Sequence, residues 1–179
     1  MKYTDTQIVF REVPDEISLA INISNCPNHC KGCHSKELWE DIGTELNEEV
    51  LEKLILEHTG ITCVAFMGGD ASVDEVIRLA RYVKEEWGLK TCWYSGRDLF
   101  IVNTNNESLY FYEYCGYNGE VKYNICHSVL DYIKIGHYDE NFGPLDNKNT
   151  NQRMYQYIID EDDNSYWKDI TYKFNGNKE

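Results

Sequence analysis

The strongest constraint on the fold is a regular alternation of strand and helix patterns in the first half of the chain. The strand patterns lie at residues 16–24, 61–67 and 90–95, and the helix patterns run from Asn47 to Gly60 and from Ser72 to Gly88. Successive parallel strands need a crossover of about a dozen residues or more, and these helices supply it. The alternation therefore predicts an α/β fold with helices packed on a parallel sheet.

Weaker patterns flank this unit. Further strands are predicted at residues 7–13, 130–136 and 167–174. Ser35 is predicted to cap a short helix that runs through Leu38 and Trp39. The patterns fit one hydrophobic core, and a length of 179 residues suits a single domain over residues 1–179.

The segment between residues 97 and 129 interrupts the alternation. Strand-like stretches at 99–104 and 109–114 are separated by turn signals at 103–108 and 117–120. This pattern indicates an inserted hairpin or an irregular excursion at about 98–128.

Charge and composition exclude several classes of protein. The formal net charge of −14 repels phosphate backbones, so nucleic-acid binding is not expected. No apolar run is long enough to span a bilayer, and the first residues lack the apolar core of a signal peptide. We therefore predict a cytoplasmic protein with no membrane partner. Seven cysteines, an odd number, fit a disulfide framework poorly, and in a reducing cytosol clustered cysteines more often hold metal.

Three of the cysteines form a compact motif directly after the first strand of the alternation. Cys26, Cys30 and Cys33 have the spacing C-x3-C-x2-C, with no obvious fourth ligand. Three thiolates leave one iron of a 4Fe–4S cluster open, and an open position on a metal is typical of a catalytic site. The alternative is structural zinc with His29 or His34 as the fourth ligand. Cys63 and Cys92 lie in apolar strands and are predicted to be core residues, and Cys115 and Cys126 receive no role.

A second motif, Gly68-Gly69-Asp70, lies between a strand and a helix. Two glycines there allow a backbone to approach a ligand closely, and the Asp70 carboxylate is able to accept hydrogen bonds from an ammonium group. The alternative is an ordinary strand-to-helix turn in which the helix dipole favours the aspartate.

Together these motifs resemble the radical S-adenosylmethionine enzymes, although Gly32 replaces the aromatic residue usual before the last cysteine. The sequence Cys-x-Gly-Cys-His, with Trp39 six residues beyond Cys33, is similar to one branch: the activating proteins of anaerobic ribonucleoside-triphosphate reductase. Residues 131–136, 143–146, 150–155 and 169–174 resemble the C-terminal half of that branch. The insertion is atypical of it.

The resemblance implies an incomplete (β/α) barrel of parallel strands with flanking helices. It also implies a 4Fe–4S cluster that binds S-adenosylmethionine at the iron without a cysteine. The implied cluster ligands are Cys26, Cys30 and Cys33. The implied cofactor contacts are Gly32, Cys33 and His34 near the nucleoside, and Gly68, Gly69 and Asp70 at the methionine ammonium, with Ser95 and Lys134 as further candidates. No catalytic side chain is implied.

The resemblance further implies two protein partners: the large subunit of the anaerobic reductase, which receives a glycyl radical, and a one-electron donor such as flavodoxin. A closed eight-unit barrel needs roughly 250 residues. The 179-residue chain is too short for one and is expected to leave a side open to a loop of the partner. Two alternatives stay open: a radical enzyme acting on a small metabolite or another glycyl-radical enzyme, and a non-catalytic zinc or electron-transfer module.

Overall fold

The computed structural model describes the backbone of residues 1–103, 109–115, 120–121 and 129–176, and the side chains of residues 1–98 and 129–176. The strands are β1 (Lys2–Val9), β2 (Ser18–Ile23), β3 (Thr44–Glu45), β4 (Cys63–Met67), β5 (Lys90–Tyr94), β6 (Leu99–Asn103), β7 (Leu109–Cys115), β8 (Glu120–Val121), β9 (Tyr132–Ile135), β10 (Arg153–Ile159) and β11 (Ser165–Asp169). The α-helices are α1 (Glu48–Glu57), α2 (Val73–Tyr82) and α3 (Tyr172–Asn175). A 3-10 helix spans Lys36–Trp39, and a π-helical turn at Val83–Trp87 extends α2.

Eight strands form one mixed sheet in the order β11-β10-β9-β5-β4-β2-β1-β3. The four central strands β2, β4, β5 and β9 are parallel, which confirms the predicted parallel sheet and the strand predicted at 130–136. The register aligns Ala20, Ala65 and Cys92 across β2, β4 and β5. On both sides of this centre the outer strands pair antiparallel. The incomplete barrel that the resemblance implies stays a prediction.

Two strands differ from their predicted positions by several residues. The first strand runs over Lys2–Val9 and not over residues 7–13, because its early polar residues still pair with β2. Near the other end, the strand predicted at 167–174 stops at Asp169. There the Asp169 Oδ1 accepts a hydrogen bond from the Thr171 N–H at 2.9 Å, which turns the chain into the short helix α3.

Helices α1 and α2 pack their apolar sides on the sheet. Asn47 caps α1 as predicted, since its Oδ1 accepts a hydrogen bond from the Val50 N–H at 3.0 Å. Ser35 and Ser72 also stand at the N-cap positions of their helices, but neither side chain forms a capping hydrogen bond. Ser72 stands before α2 but uses its carbonyl oxygen, which accepts from the N–H groups of Glu75 and Val76.

Alternate residues of the central strands enter two different cores. Val64 and Phe66 of β4 face the core that contains α1 and α2. Cys63 and Ala65 face a second core, in which Cys92, Tyr132 and Met154 lie with Val13, Leu145 and Ile170. Cys63 and Cys92 are fully buried, which confirms them as core residues. Both faces of the sheet centre are thus covered, and the strand ends are where loops meet.

The insertion contains the predicted hairpin. Strand β6 pairs antiparallel with β7, and β7 with β8, in a separate three-stranded sheet. Most of the two predicted turns, and Cys126, lie outside the described residues. Within the parts of the chain that are described, no helix has both the length and the apolar character needed to cross a bilayer.

Candidate metal centre

The predicted site residues lie along one edge of the sheet. Because β2, β4, β5 and β9 are parallel, their carboxyl ends meet at one edge, here called the carboxyl edge. The segments that follow them there are the cysteine loop (residues 25–34), Gly68–Asp70, Ser95–Asp98 and Gly136–Asn141. Ligand sites of α/β sheets form at such edges. The motifs far apart in sequence are therefore neighbours in space.

The cysteine loop folds back on itself through residues with positive φ. These are Asn25 at 63°, His29 at 43° and Gly32 at 77°. Its start is anchored to the following segment, since the Cys26 N–H donates to the Leu38 carbonyl at 2.9 Å. Cys26, Cys30 and Cys33 are all free thiols of intermediate exposure. The loop thus holds three unpaired thiols where a ligand is able to reach them.

Backbone N–H groups near Cys26 and Cys33 favour the thiolate form of these two residues. Burial raises the pKa of Cys26, and hydrogen bonds from the backbone of Asn28 and His29 act in the opposite direction. The Ser35 N–H donates to the Cys33 sulfur at 3.4 Å. Metal binding requires the thiolate form, and N–H donors stabilise that negative charge. The donor set therefore suits iron–sulfur ligation.

The histidine beside the second cysteine is engaged in a ring contact. The His29 ring stacks on Trp39 at a centroid distance of 4.8 Å and an interplanar angle of 11°. Among the described residues, no group of three or more His, Cys, Asp or Glu side chains converges as a single metal ion would need. A 4Fe–4S cluster does not require ligands that converge on one point, because each thiolate binds a separate iron of the cluster.

The two glycines after β4 are required by the packing of the chain itself. Both have positive φ, 107° at Gly68 and 92° at Gly69. A Cβ at Gly68 would lie 3.0 Å from the Ile23 carbonyl oxygen, and one at Gly69 would lie 2.5 Å from Val76 Cγ2. The Gly68 N–H donates to the Tyr94 carbonyl at 3.0 Å. Close approach to β2 and α2 therefore accounts for this pair of glycines.

Asp70 is buried and surrounded by donors. Its side chain is 2% exposed. Oδ1 accepts from the Ser95 hydroxyl at 2.6 Å, and Oδ2 accepts from the Gly96 N–H and the Asn28 Nδ2, both at 2.8 Å. The structure thus brings together the predicted residues Asp70 and Ser95, and links them to the cysteine loop through Asn28.

Two cations near Asp70 complete the site. The Arg97 Nη2 donates to the Asp70 carbonyl at 2.6 Å, and its Nε lies 3.7 Å from Oδ1. Lys134, at the end of β9, donates to the Gly136 carbonyl at 2.7 Å and weakly to the Ser95 carbonyl at 3.4 Å. Burial lowers the pKa of Lys134 to about 8, against the attraction of Asp70 and Cys30. The sequence analysis missed Arg97 and Asn28; the signal for Arg97 was its place just after a strand end.

A cavity of about 670 Å³ opens beside the cysteine loop. It is lined by residues 28–31, 96–98 and 137–141 of three carboxyl-edge segments. Gly32 and His34, which follow the lining residue Lys31 in the cysteine loop, are exposed. A Cβ at Gly32 would lie 3.3 Å from Glu140 Oε2 and 3.4 Å from Tyr138 Cε1. The volume is in the usual range of about 300–1,000 Å³ for small-molecule sites.

Charges of both signs line the cavity. Lys31 forms an ion pair with Glu140 across its rim. His137 Nδ1 lies 2.9 Å from Asp98 Oδ2. Arg97 and Asp139 contribute further charges to the wall. A ligand that carries both an ammonium and a carboxylate group meets partners for each.

Comparison with known proteins identifies the family. No curated protein and no solved structure matches the chain. A family model described as a 4Fe-4S single cluster domain matches residues 17–124, more than half of the chain. The matched segment contains all three loop cysteines, Asp70 and Ser95. The chain belongs to the 4Fe-4S single cluster domain family.

Proposed function

We propose that this iron–sulfur protein cleaves S-adenosylmethionine reductively and thereby activates the large subunit of an anaerobic ribonucleotide reductase. The observation that carries the proposal is the position of three free thiols on one loop beside a 670 Å³ cavity at the carboxyl edge. The two other cysteines whose side chains are described, Cys63 and Cys92, are fully buried in the core. A cluster held by three ligands leaves one iron for a cofactor.

The chain's part in this chemistry is to bind and orient. When bound, the cluster and S-adenosylmethionine supply the one-electron chemistry. Cys26, Cys30 and Cys33 hold the cluster, and Cys30 lines the cavity directly. The carboxyl-edge segments fix the walls of the cavity, so that the cofactor has one orientation and bulk water is displaced.

The charges that line the cavity support binding of a cofactor that contains an amino-acid group. Methionine carries an ammonium and a carboxylate, and the wall offers Asp98, Asp139 and Arg97 within one volume. Gly32 packs against Glu140 and Tyr138 of the cavity lining, and we expect the nucleoside beside Gly32, Cys33 and His34. Asp70 is buried, and its carboxylate already accepts three hydrogen bonds, from Asn28, Ser95 and Gly96. For the carboxylate to accept a hydrogen bond from the ammonium as well, this wall of the cavity has to open.

The partner assignments depend on the resemblance of the C-terminal half. We expect a loop of the reductase to reach the carboxyl edge, and an electron donor such as flavodoxin to reduce the cluster in the cytosol. The net charge of −14 favours partners with a basic contact surface.

The test is electron paramagnetic resonance of the reductase after anaerobic incubation with this protein, reductant and S-adenosylmethionine. A glycyl doublet is expected with the wild type and with Cys92→Ala, whose thiol is buried away from the site. No doublet is expected with Cys30→Ala.

The alternatives give different results in the same experiment. Cofactor cleavage without a doublet would favour a small metabolite or another glycyl-radical enzyme as the substrate. One zinc per chain and no sulfide would instead identify a zinc module and end the proposal.

A further inference from the structure

We infer that Asn28 is a positioning residue for the cluster, because its side-chain amide fastens the cysteine loop to the carboxyl edge through Asp70 and Gly96. The inference requires only the cluster of the family. It does not require S-adenosylmethionine cleavage or a reductase partner. Two contacts of this amide and the fixed position of its acceptor carry the inference, and we call Asn28, Asp70 and Gly96 together the Asn28 clamp.

The first contact joins the loop to the sheet. Asn28 stands midway between Cys26 and Cys30, and its Nδ2 donates to Asp70 Oδ2 at 2.8 Å. The acceptor is charged and almost fully buried, which makes the bond stronger than a neutral or exposed one. By contrast, the Lys31 side chain that pairs with Glu140 is 85% exposed. Among the described side-chain contacts of the loop, the partly buried Asn28 bond is the one that reaches Asp70, just after β4.

The second contact is between the Asn28 amide and Gly96, where a larger residue would take the space of the amide. A Cβ at Gly96 would overlap Asn28 Nδ2 and lie 3.2 Å from its Cγ and 3.4 Å from Asp70 Oδ2. The Gly96 N–H donates to the same Asp70 oxygen at 2.8 Å. Gly96 has no positive φ, so its backbone does not require glycine. A Cβ there would instead displace the Asn28 amide, whose nitrogen is the end of a flexible side chain.

The third observation is that the acceptor, the Asp70 carboxylate, is held in a fixed position. Asp70 Oδ1 accepts from the Ser95 hydroxyl at 2.6 Å, while the Asp70 carbonyl accepts from Arg97 Nη2 at 2.6 Å. Both donors belong to the segment after β5. The carboxylate therefore has little freedom to follow Asn28, and the loop must adjust to it.

The clamp acts on the thiolates through the backbone. Asn28 and His29 lie in the turn between Cys26 and Cys30, where the backbone at His29 has a positive φ of 43°. If the Asn28 side chain leaves its position, the backbone N–H groups of this turn shift relative to the cluster sulfurs, and the hydrogen bonds that they donate to those sulfurs weaken. Hydrogen bonds to cluster sulfurs raise the reduction potential, so their loss lowers it. The clamp thus positions the cluster and tunes its electron affinity.

The experiment compares Asn28→Ala, Asn28→Asp and Gly96→Ala with the wild type after anaerobic reconstitution, in the absence of S-adenosylmethionine. We expect roughly tenfold faster loss of iron to a chelator, as the loss of one charge-assisted hydrogen bond predicts. We also expect a more negative midpoint potential and one shared, altered spectrum of the reduced cluster. Gly60→Ala is the control for a glycine-to-alanine change away from the loop: a Cβ there meets nothing within 4 Å, and its positive φ of 88° adds backbone strain without a contact to the site.

A reciprocal exchange separates positioning from general damage. Asn28→Asp alone sets two carboxylates against each other, whereas Asn28→Asp with Asp70→Asn restores an amide–carboxylate pair. We expect the double variant to recover part of the wild-type potential and spectrum. If Gly96→Ala fails to fold, Asn28→Ala still tests the inference.

Wild-type iron loss, potential and spectrum in both Asn28 variants would overturn the inference. None of these readouts involves cofactor cleavage or a glycyl radical. If the wild type forms no glycyl radical while the Asn28→Ala cluster is perturbed, the result counts against the proposed function alone.

Discussion

The ammonium group of Lys134 donates to the Gly136 carbonyl at 2.7 Å inside the protein, at the carboxyl edge. Within the described side chains, no carboxylate lies within ion-pair distance of it, and burial lowers its pKa to about 8. A buried cation of this kind costs stability and places positive charge near the thiolates.

Lys134→Met is predicted to remove a pH dependence of stability. The unfolded lysine keeps its proton up to about pH 10.4 and the folded one only to about pH 8. The unfolded state thus binds more protons between these values, and wild-type stability gains up to roughly 3 kcal/mol from this group as pH rises. Urea unfolding of the cluster-free protein at pH 7 and pH 10 measures the difference between wild type and variant. Equal changes with pH in both proteins would refute the buried charge.

Gly69→Ala is predicted to destabilise the fold more than Gly60→Ala. Both glycines have positive φ, so both variants carry backbone strain. At Gly69 the new Cβ also lies 2.5 Å from Val76 Cγ2, whereas at Gly60 it meets open space. Overpacking adds about 1–3 kcal/mol to the loss of unfolding free energy. Equal destabilisation of the two variants in a denaturant titration would mean that α2 shifts to accommodate the new methyl group at position 69.

Cys30→Ala is predicted to abolish the brown absorbance and lower iron and sulfide content after reconstitution, since one corner of the cluster loses its ligand. Cys92→Ala removes a fully buried thiol far from the loop and should keep wild-type iron and sulfide. Metal and sulfide analysis of the two variants provides the comparison. A full 4Fe–4S content in Cys30→Ala would reject the ligand assignment.

Glu16→Gln is predicted to lower the free energy of unfolding by roughly 2–3 kcal/mol. The buried Glu16 carboxylate accepts from Lys90 Nζ at 2.5 Å, the Tyr132 hydroxyl at 2.9 Å and the Thr62 hydroxyl at 2.6 Å. An amide is unable to accept all three bonds. Glu57→Gln, at an exposed position, is the control and should change stability by less than about 0.5 kcal/mol. Similar values for the two variants would show that the bonds around Glu16 contribute little.

The sequence predicted the elements of the site better than their contacts. The parallel centre followed from the alternation of strands and helices, and the cysteine loop from its spacing. Asp70 and Ser95 were separate candidates, and their hydrogen bond depends on the register that sets Met67 beside Tyr94. No local sequence pattern predicts that register. The contact of Asn28 with Asp70 and Gly96 depends on the same register, so the role of Asn28 could not be predicted from the sequence.

The glycine motif shows why a pattern supports two explanations. Gly68 and Gly69 were predicted to admit a ligand, and the structure places their missing side chains against Ile23 and Val76. Both explanations require glycine, and only the packing distinguishes them. The outer strands were harder for another reason: antiparallel pairs such as β1 with β2 depend on partners and not on apolar periodicity.

The most direct test of the central claim is the electron paramagnetic resonance spectrum of the chemically reduced, reconstituted protein with and without S-adenosylmethionine. Three cysteine ligands and one open iron predict a cluster signal whose g values change when the cofactor is added. An unchanged signal at saturating cofactor would contradict the account.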